Sequence, residues 1–252
     1  TATLVVTNPS VAYNTLAQSA IVGTTSSSVP GSIANISTGG AATQTNVGTY
    51  AVTADFVPTD TANYNSLLNQ SAGNFDITKI NQSALTLSGP ATATYGTTPT
   101  LTTSGGSGTG SVSFSVGTST GCSVSGSILT VVSVGGSCDV TATKAADTNY
   151  NVANSVATAV TLVRATPTAT LVVSNSPVTY DTTAKSASVT ISASSVPGSI
   201  ANISTGGAAD QTTAGTYAVT ADFVPTDTAN YNTITAQSAG NFVINKATPT
   251  AT

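Results

Sequence analysis

Apolar and polar positions alternate through GTYAVTADFVP. Tyr50, Val52, Ala54 and Phe56 fall on one face, and Ala51, Thr53, Asp55 and Val57 on the other. A period of two with one apolar face predicts a half-buried strand. Pro58 ends it, because proline has no N–H to give to a ladder. The Asp, Thr and Asn that follow are turn formers. The same alternation predicts a strand at Thr3–Val6, a turn at Asn8-Pro9 and a second strand from Val11. It also predicts a final strand in GNFDITK with Phe75 and Ile77 inward. Ile33 and Ile36 mark a short strand with a bulge between them, bounded by the turn signals Pro30-Gly31 and Gly39-Gly40. In SASVTISA, Ala187, Val189 and Ile191 share a face. No segment carries a helical period.

These elements recur. GTYAVTADFVPTDTANYN runs from Gly48 to Asn65 and returns unchanged from Gly215 to Asn232. SSVPGSIANISTGGAA, from Ser27 to Ala42, returns from Ser194 to Ala209. The register holds from TATLVV at Thr1 and at Thr168 through Lys79 and Lys246. A diverged copy, GSCDVTATKAADTNYN, runs from Gly136 to Asn151. Tyr95-Gly96-Thr97 there corresponds to Tyr13-Asn14-Thr15 and Tyr180-Asp181-Thr182. The chain therefore divides into repeat A (1–80), repeat B (81–165) and repeat A′ (166–247), with 248–252 reading as the opening of a further copy. Six or seven strands per repeat, with turn signals every 8–12 residues, predict an all-β chain built as a tandem array of three β-sandwich domains. The junctions are short, two carry Pro167 or Pro249, and proline stiffens a link. Each keeps one cation, Lys79, Arg164 or Lys246. That cation reads first as a solubilising edge charge, and second as half of an ion pair with the neighbouring repeat.

Composition narrows the function classes. Net charge is −4 and only 6% of residues are charged, so the basic footprint that nucleic acid requires is missing. No apolar run approaches the ~18 residues of a membrane span. The chain holds no Met and opens inside a repeat, which reads as a piece of something longer. With no His and no Glu, acid–base chemistry would fall on Asp, Lys, Tyr or Cys. Most of the nine aspartates sit in turns or on outward strand positions, and no base pairs with the abundant Ser and Thr. The expectation is no enzyme and no cofactor. GGSGTG at Gly105–Gly110 lacks the Lys-Ser/Thr of a phosphate loop and reads as a plain loop.

Cys122 and Cys138 are the only cysteines. Cys138 aligns with inward Tyr50, and Cys122 shares a face with Val124. Two inward cysteines in one small domain predict a disulfide, which implies an oxidising location. Two free buried thiols are the rival reading. Without His, two cysteines make only half a metal set.

The residues VTYDTTAKSASVT, AGTYAVTADF, TANYN and FVINKA of repeat A′ resemble the MBG or YDG-type repeats of bacterial surface proteins, a branch of the bacterial immunoglobulin-like domains. The family usually has glycine after Tyr-Asp, where this chain has Thr182, and Thr15 in repeat A. ATYGTTPTLTTSGGSG, GCSVSGSILTV and CDVTATKAADTNYN in repeat B are similar to a related bacterial Ig-like repeat. The resemblance implies immunoglobulin-like sandwiches, no catalytic residues, and the stalk or shaft of a secreted or cell-surface protein. The implied partners are neighbouring repeats, in a homopolymer or by lateral self-association.

Two other chemistries have candidate residues. Asp60, Asn63 and Asn65 share a loop, as do Asp147, Asn149 and Asn151, and Asp227, Asn230 and Asn232. Such oxygens suit calcium, but one carboxylate per loop is poor, and Asx turns cap their own backbone. Tyr64, Tyr150 and Tyr231 inside these loops read as corner plugs. Lys144, at the position of Phe56, is the candidate for a Lys–Asn isopeptide crosslink, against simple snorkelling. The function expected is a structural repeat region forming a rod-like stalk or self-associating fibre outside a bacterial cell. The alternative is an adhesin module gripping a glycan or partner surface through its loops.

Overall fold

The fold is a computed structural model that describes residues 1–250. Residues 251 and 252, the last of the predicted opening of a further repeat, lie outside the described residues. Among the described residues the chain is all-β, with no helix.

Repeat A holds β1 (Ala2–Val6), β2 (Ser10–Ala12), β3 (Val22–Ser27), β4 (Gly31–Thr38), β5 (Gly48–Pro58) and β6 (Leu67–Thr78). Repeat B breaks into ten short strands: β7 (Leu85–Ser88), β8 (Thr92–Thr94), β9 (Thr102–Gly105), β10 (Val112–Ser115), β11 (Cys122–Ser125), β12 (Ile128–Val131), β13 (Asp139–Lys144), β14 (Ala153–Asn154), β15 (Thr158–Ala159) and β16 (Thr161–Val163). Repeat A′ restores the first pattern with β17 (Ala169–Val173), β18 (Val178–Thr179), β19 (Val189–Ser194), β20 (Gly198–Thr205), β21 (Gly215–Pro225) and β22 (Ile234–Asn245). The expected count of six or seven strands holds in A and A′ and is exceeded in B.

In repeat A the sheet order is β2-β6-β5-β4, and β1 pairs β3 as a separate ribbon. Only β2–β6 is parallel. The ribbon brings Leu4, Val6 and Val22 against Val52, Phe56, Phe75 and Ile77 of the sheet, so the core lies between two layers. Strand β6 starts at Leu67, six residues before the glycine expected to open it. In repeat A′ the order is β18-β22-β21-β20 with the ribbon β17–β19. Leu171, Val219, Phe223, Phe242 and Ile244 form the matching core. Glycine opens β4 and β20 because a phenylalanine ring lies against the backbone there. A Cβ on Gly31 would meet Phe56 Cζ at 2.5 Å, and one on Gly198 would meet Phe223 Cζ at 2.5 Å.

The bulge expected between Ile33 and Ile36 is present. The β4–β5 register shifts between Ala34 and Ser37, and Asn35 takes φ 50°. A second shift on the β5–β6 side lies near Asn69, at φ 52°. Asp55 sits between them. Its carboxylate accepts Asn35 Nδ2 at 2.8 Å and the Asn69 N–H at 2.8 Å. Asp55 is therefore buried, not solvated as alternation suggested, because two bulged strands turn their amides onto it. Asp222, Asn202 and Ala236 repeat the clamp.

By contact the chain groups into two compact units. One comprises Thr1–Leu87, Thr103–Phe114 and Thr141–Val156; the other comprises Ser88–Thr102, Ser115–Val140 and the chain from Ala157 onward. In the first, β13 pairs with β14 at Thr143↔Asn154. In the second, β13 pairs with β15 at Asp139↔Ala159, β11 pairs with β12, and β8 pairs with β16. A disulfide joins Cys122 to Cys138 in the second unit, with both residues buried.

Thr15 and Thr182 stand where the resembled family has glycine, and both take positive φ, 68° and 67°, as Gly96 does at 79° in repeat B. The turn is kept and a β-branched residue is forced into the left-handed region, which costs on the order of 1–3 kcal/mol. Replacing Thr182 by glycine is expected to raise stability by about 1 kcal/mol, read as a higher urea midpoint at unchanged slope. A lower midpoint would show that the Thr182 hydroxyl, which donates to the Asp181 carbonyl, matters more than the strain.

Candidate functional site: tyrosine junctions

Two of the three Asp/Asn loops singled out in the sequence meet a tyrosine of the preceding repeat, each contact internal to one compact unit. In the first unit, Tyr13 of repeat A meets Tyr150 of repeat B edge to face, with centroids 5.5 Å apart and planes at 82°. In the second, Tyr95 of repeat B meets Tyr231 of repeat A′ at 5.3 Å and 83°. Edge-to-face pairs align the positive ring edge with the negative face and contribute about 1 kcal/mol beyond burial.

Hydrogen bonds repeat around both ring pairs. Asn149 Oδ1 accepts the Val47 N–H at 2.9 Å, and Asn230 Oδ1 accepts the Val134 N–H at 2.9 Å. The linker residue then pairs with the loop. Asn151 donates its N–H to the Ile80 carbonyl, and Asn232 does so to the Ala165 carbonyl. The junction cations join in. Lys79 Nζ donates to the Asp147 carbonyl at 2.6 Å, and Arg164 Nε donates to the Ala229 carbonyl at 3.1 Å. The ion-pair reading does not hold for Lys79 or Arg164: both remain exposed charges that cap backbone carbonyls of the following repeat. The one ion pair among the described residues is Lys185–Asp181.

The corner-plug reading of the loop tyrosines is corrected by the same geometry. Tyr150 and Tyr231 pack across a junction, and Tyr64 is 50% exposed. The signal was available: Tyr13, Tyr95 and Tyr180, and Tyr64, Tyr150 and Tyr231, survive even in the diverged copy.

The loop aspartates are occupied by hydrogen bonds from within the protein. Asp60 accepts the Asn63 N–H and side-chain amide, and Asp227 treats Asn230 alike. Asp147 accepts the N–H groups of Asn149 and Tyr150 on Oδ1, and the N–H and hydroxyl of Thr109 on Oδ2. Among the described residues no group of three acidic, Cys or His side chains is placed to hold a metal ion. The glycine-rich loop is explained by close approach. A Cβ on Gly105 would fall 2.0 Å from the Ala84 carbonyl oxygen, and one on Gly110 would fall 2.0 Å from that of Ala145. Lys144, the isopeptide candidate, donates to the Gly106 carbonyl at 3.4 Å. Asp76 Oδ1 is buried without a partner, and Val243 occupies the matching position in A′.

The Thr109 N–H, ahead of the Asn149 and Tyr150 N–H groups, lowers the Asp147 carboxyl from 3.8 to about 2. The Lys185 ammonium lowers Asp181 likewise to about 2. Side-chain amides lower Asp55, Asp60 and Asp222, from Asn35, Asn63 and Asn202 in turn. A depressed carboxyl stabilises the fold above its unfolded value and loses that contribution as pH falls through its folded value. The melting temperature is therefore expected to stay level from about pH 7 to about pH 5, where no His titrates, and to fall between 3.8 and about 2. Asp147→Asn is expected to make that acid limb shallower. A transition near pH 6 would contradict this assignment.

No helix among the described residues is long and apolar enough to cross a membrane. No family model matches the chain, nor does any curated protein or solved structure.

Proposed function

We propose that this chain is a structural repeat region of a bacterial extracellular or cell-surface protein. Its three repeats fold as immunoglobulin-like sandwiches in tandem, and together they form a rod-like stalk or a self-associating fibre. The observation that carries this reading is the junction made twice from the same residue types. A tyrosine pair, an asparagine on a backbone N–H and a cation on a carbonyl fix each repeat to the next. Flexible tethering would need none of them. The buried disulfide supports an oxidising location, and sparse charge on Thr/Val-rich strands supports lateral pairing.

The test is electron microscopy of single chains with and without Tyr150→Ala and Tyr231→Ala. The reading expects straight particles from the parent chain and bent ones, with a broad spread of angles, from the double variant. Compact particles from the parent, or an unchanged angle distribution, would overturn it.

One observation favours the adhesin as a second reading. A groove of about 350 Å³ beside the first junction is lined by Tyr13, Asn46, Asp147, Asn149 and Tyr150. Aromatic faces beside amide and carboxylate groups suit a sugar ring. A glycan array probed with the whole chain tests it: binding that Asn46→Ala abolishes supports this reading, and no binding overturns it.

A further inference from the structure

In every repeat the second strand pairs with the last one, and in parallel. Ser10–Ala12 runs beside Asp76–Thr78, Thr92–Thr94 beside Thr161–Val163, and Val178–Thr179 beside Ile244–Asn245. Flanking bonds lengthen each pair. In repeat A the Asp76 N–H donates to the Pro9 carbonyl at 2.9 Å and the Tyr13 N–H to the Thr78 carbonyl at 3.0 Å. In repeat B the Thr161 N–H donates to the Ala91 carbonyl at 3.0 Å and the Tyr95 N–H to the Val163 carbonyl at 2.9 Å. In repeat A′ the Tyr180 N–H donates to the Asn245 carbonyl at 2.9 Å. There the Ser176 hydroxyl oxygen accepts the Val243 N–H at 2.9 Å, where repeat A uses the Pro9 carbonyl. Repeat B keeps this pair although it has lost the long strands of the other two.

The pair has a direction under load. The last strand leads out of the repeat, so tension along the chain pulls β6 forward while it pulls β2 back toward residue 1. Parallel strands loaded this way slide along each other, and their evenly spaced bonds share the load and fail together. Strands pulled apart from one end lose their bonds one at a time. The chain between them, β3 to β5, cannot extend until the pair parts. Repeat B has a neighbour on each side in the sequence, so its pair takes load from both.

We propose that each repeat is a tension-bearing unit whose resistance is set by shear of this parallel pair, and that the disulfide limits how far repeat B lengthens once its pair parts. Parting releases the 67 residues between Val11 and Thr78 in repeat A, and the 67 between Ser176 and Val243 in repeat A′. Either is about 220–240 Å of extended chain. Cys122 and Cys138 both lie between β8 and β16, so their crosslink withholds 16 residues of repeat B, roughly 50–60 Å. This inference rests on the stalk reading and names tension as the load the stalk bears.

Single-molecule force spectroscopy on the full-length chain, held at its two ends, reads both parts. Three lengthening steps are expected, two of about 220–240 Å and one shorter by roughly 50–60 Å. A reductant is expected to bring the short step up to the others. Load direction tests the shear. Asn14→Cys and Lys79→Cys, both at exposed positions just past one end of the β2–β6 pair, provide handles that peel it from that end. The peeled pair is expected to part at a several-fold lower force than in the same variant chain loaded at its ends at the same rate. Equal forces in the two directions overturn the shear, and a short step that ignores the reductant overturns the limit on repeat B. If equal forces come from a chain that scatters as an elongated body, the tandem reading stands and only the tension-bearing unit fails. A compact chain that parts in one step removes both.

Discussion

Phe242→Ala is expected to destabilise the chain by about 3–5 kcal/mol, the usual cost of emptying a fully buried aromatic site. Phe242 has no exposed surface and sits on β22 opposite Tyr217, within the core that Val219 and Phe223 share. The sheet cannot close over the gap cheaply. A two-layer core this thin has few side chains to move inward, and β21 and β22 are already fixed by bulges at Val219/Thr220 and Ala221/Phe223. Phe75 holds the same place in repeat A, opposite Tyr50, so Phe75→Ala is expected to cost a similar amount. Urea denaturation followed by far-UV circular dichroism measures both. Leu68→Ala, at a 60% exposed position, serves as the control and is expected to change stability by less than about 0.5 kcal/mol. A Phe242→Ala variant that melts like the parent would mean that repeat A′ does not pack around β22.

Removing the disulfide is the second large effect. Cys122 and Cys138 are 16 residues apart and 4% and 3% exposed. Closing a loop of that length restricts the unfolded chain by about 3 kcal/mol in the loop-entropy model. The surrounding segment has little else to hold it. Here β11 and β12 are four residues each, β15 only two, and glycines at 121 and 136 approach each other so closely that a Cβ on Gly136 would lie 2.3 Å from the Gly121 nitrogen. Short strands bury little area, so the crosslink carries a larger share of stability here than it would in repeat A. Cys122→Ala with Cys138→Ala, or reduction of the parent, is expected to lower the urea midpoint by a matching amount. The loss should also appear as faster proteolysis between residues 115 and 140, with β5 and β6 protected. Equal stability of the oxidised and reduced chains would contradict this.

Repetition and alternation made much of this fold legible. Identical segments had to adopt one structure twice, and the inward set Val52, Ala54, Phe56, Phe75 and Ile77 followed from a period of two. The bulge near Asn35 was legible because two isoleucines three apart cannot share a face of a regular strand. The Asp55 clamp was not, because it depends on a register that brings residues 35 and 69 to opposite sides of one carboxylate. The ten strands of repeat B were hidden by its glycines, which break alternation without saying where pairing resumes. The junctions were hidden for another reason. Aligning repeats onto one another places Tyr13 beside Tyr95, whereas the contact joins Tyr13 to Tyr150. Comparing copies reveals what is shared and says nothing of which half meets which.

Small-angle X-ray scattering of the chain in dilute solution tests the tandem arrangement most directly. The proposed tandem array, with a length per repeat of about 36 Å taken from the eleven-residue β5 and β21 at ~3.3 Å per residue, implies a radius of gyration near ~30 Å. The corresponding pair-distance distribution is skewed, with a long tail. A radius near ~18 Å, the value for a single compact body of this length, with a symmetric distribution, would contradict the account.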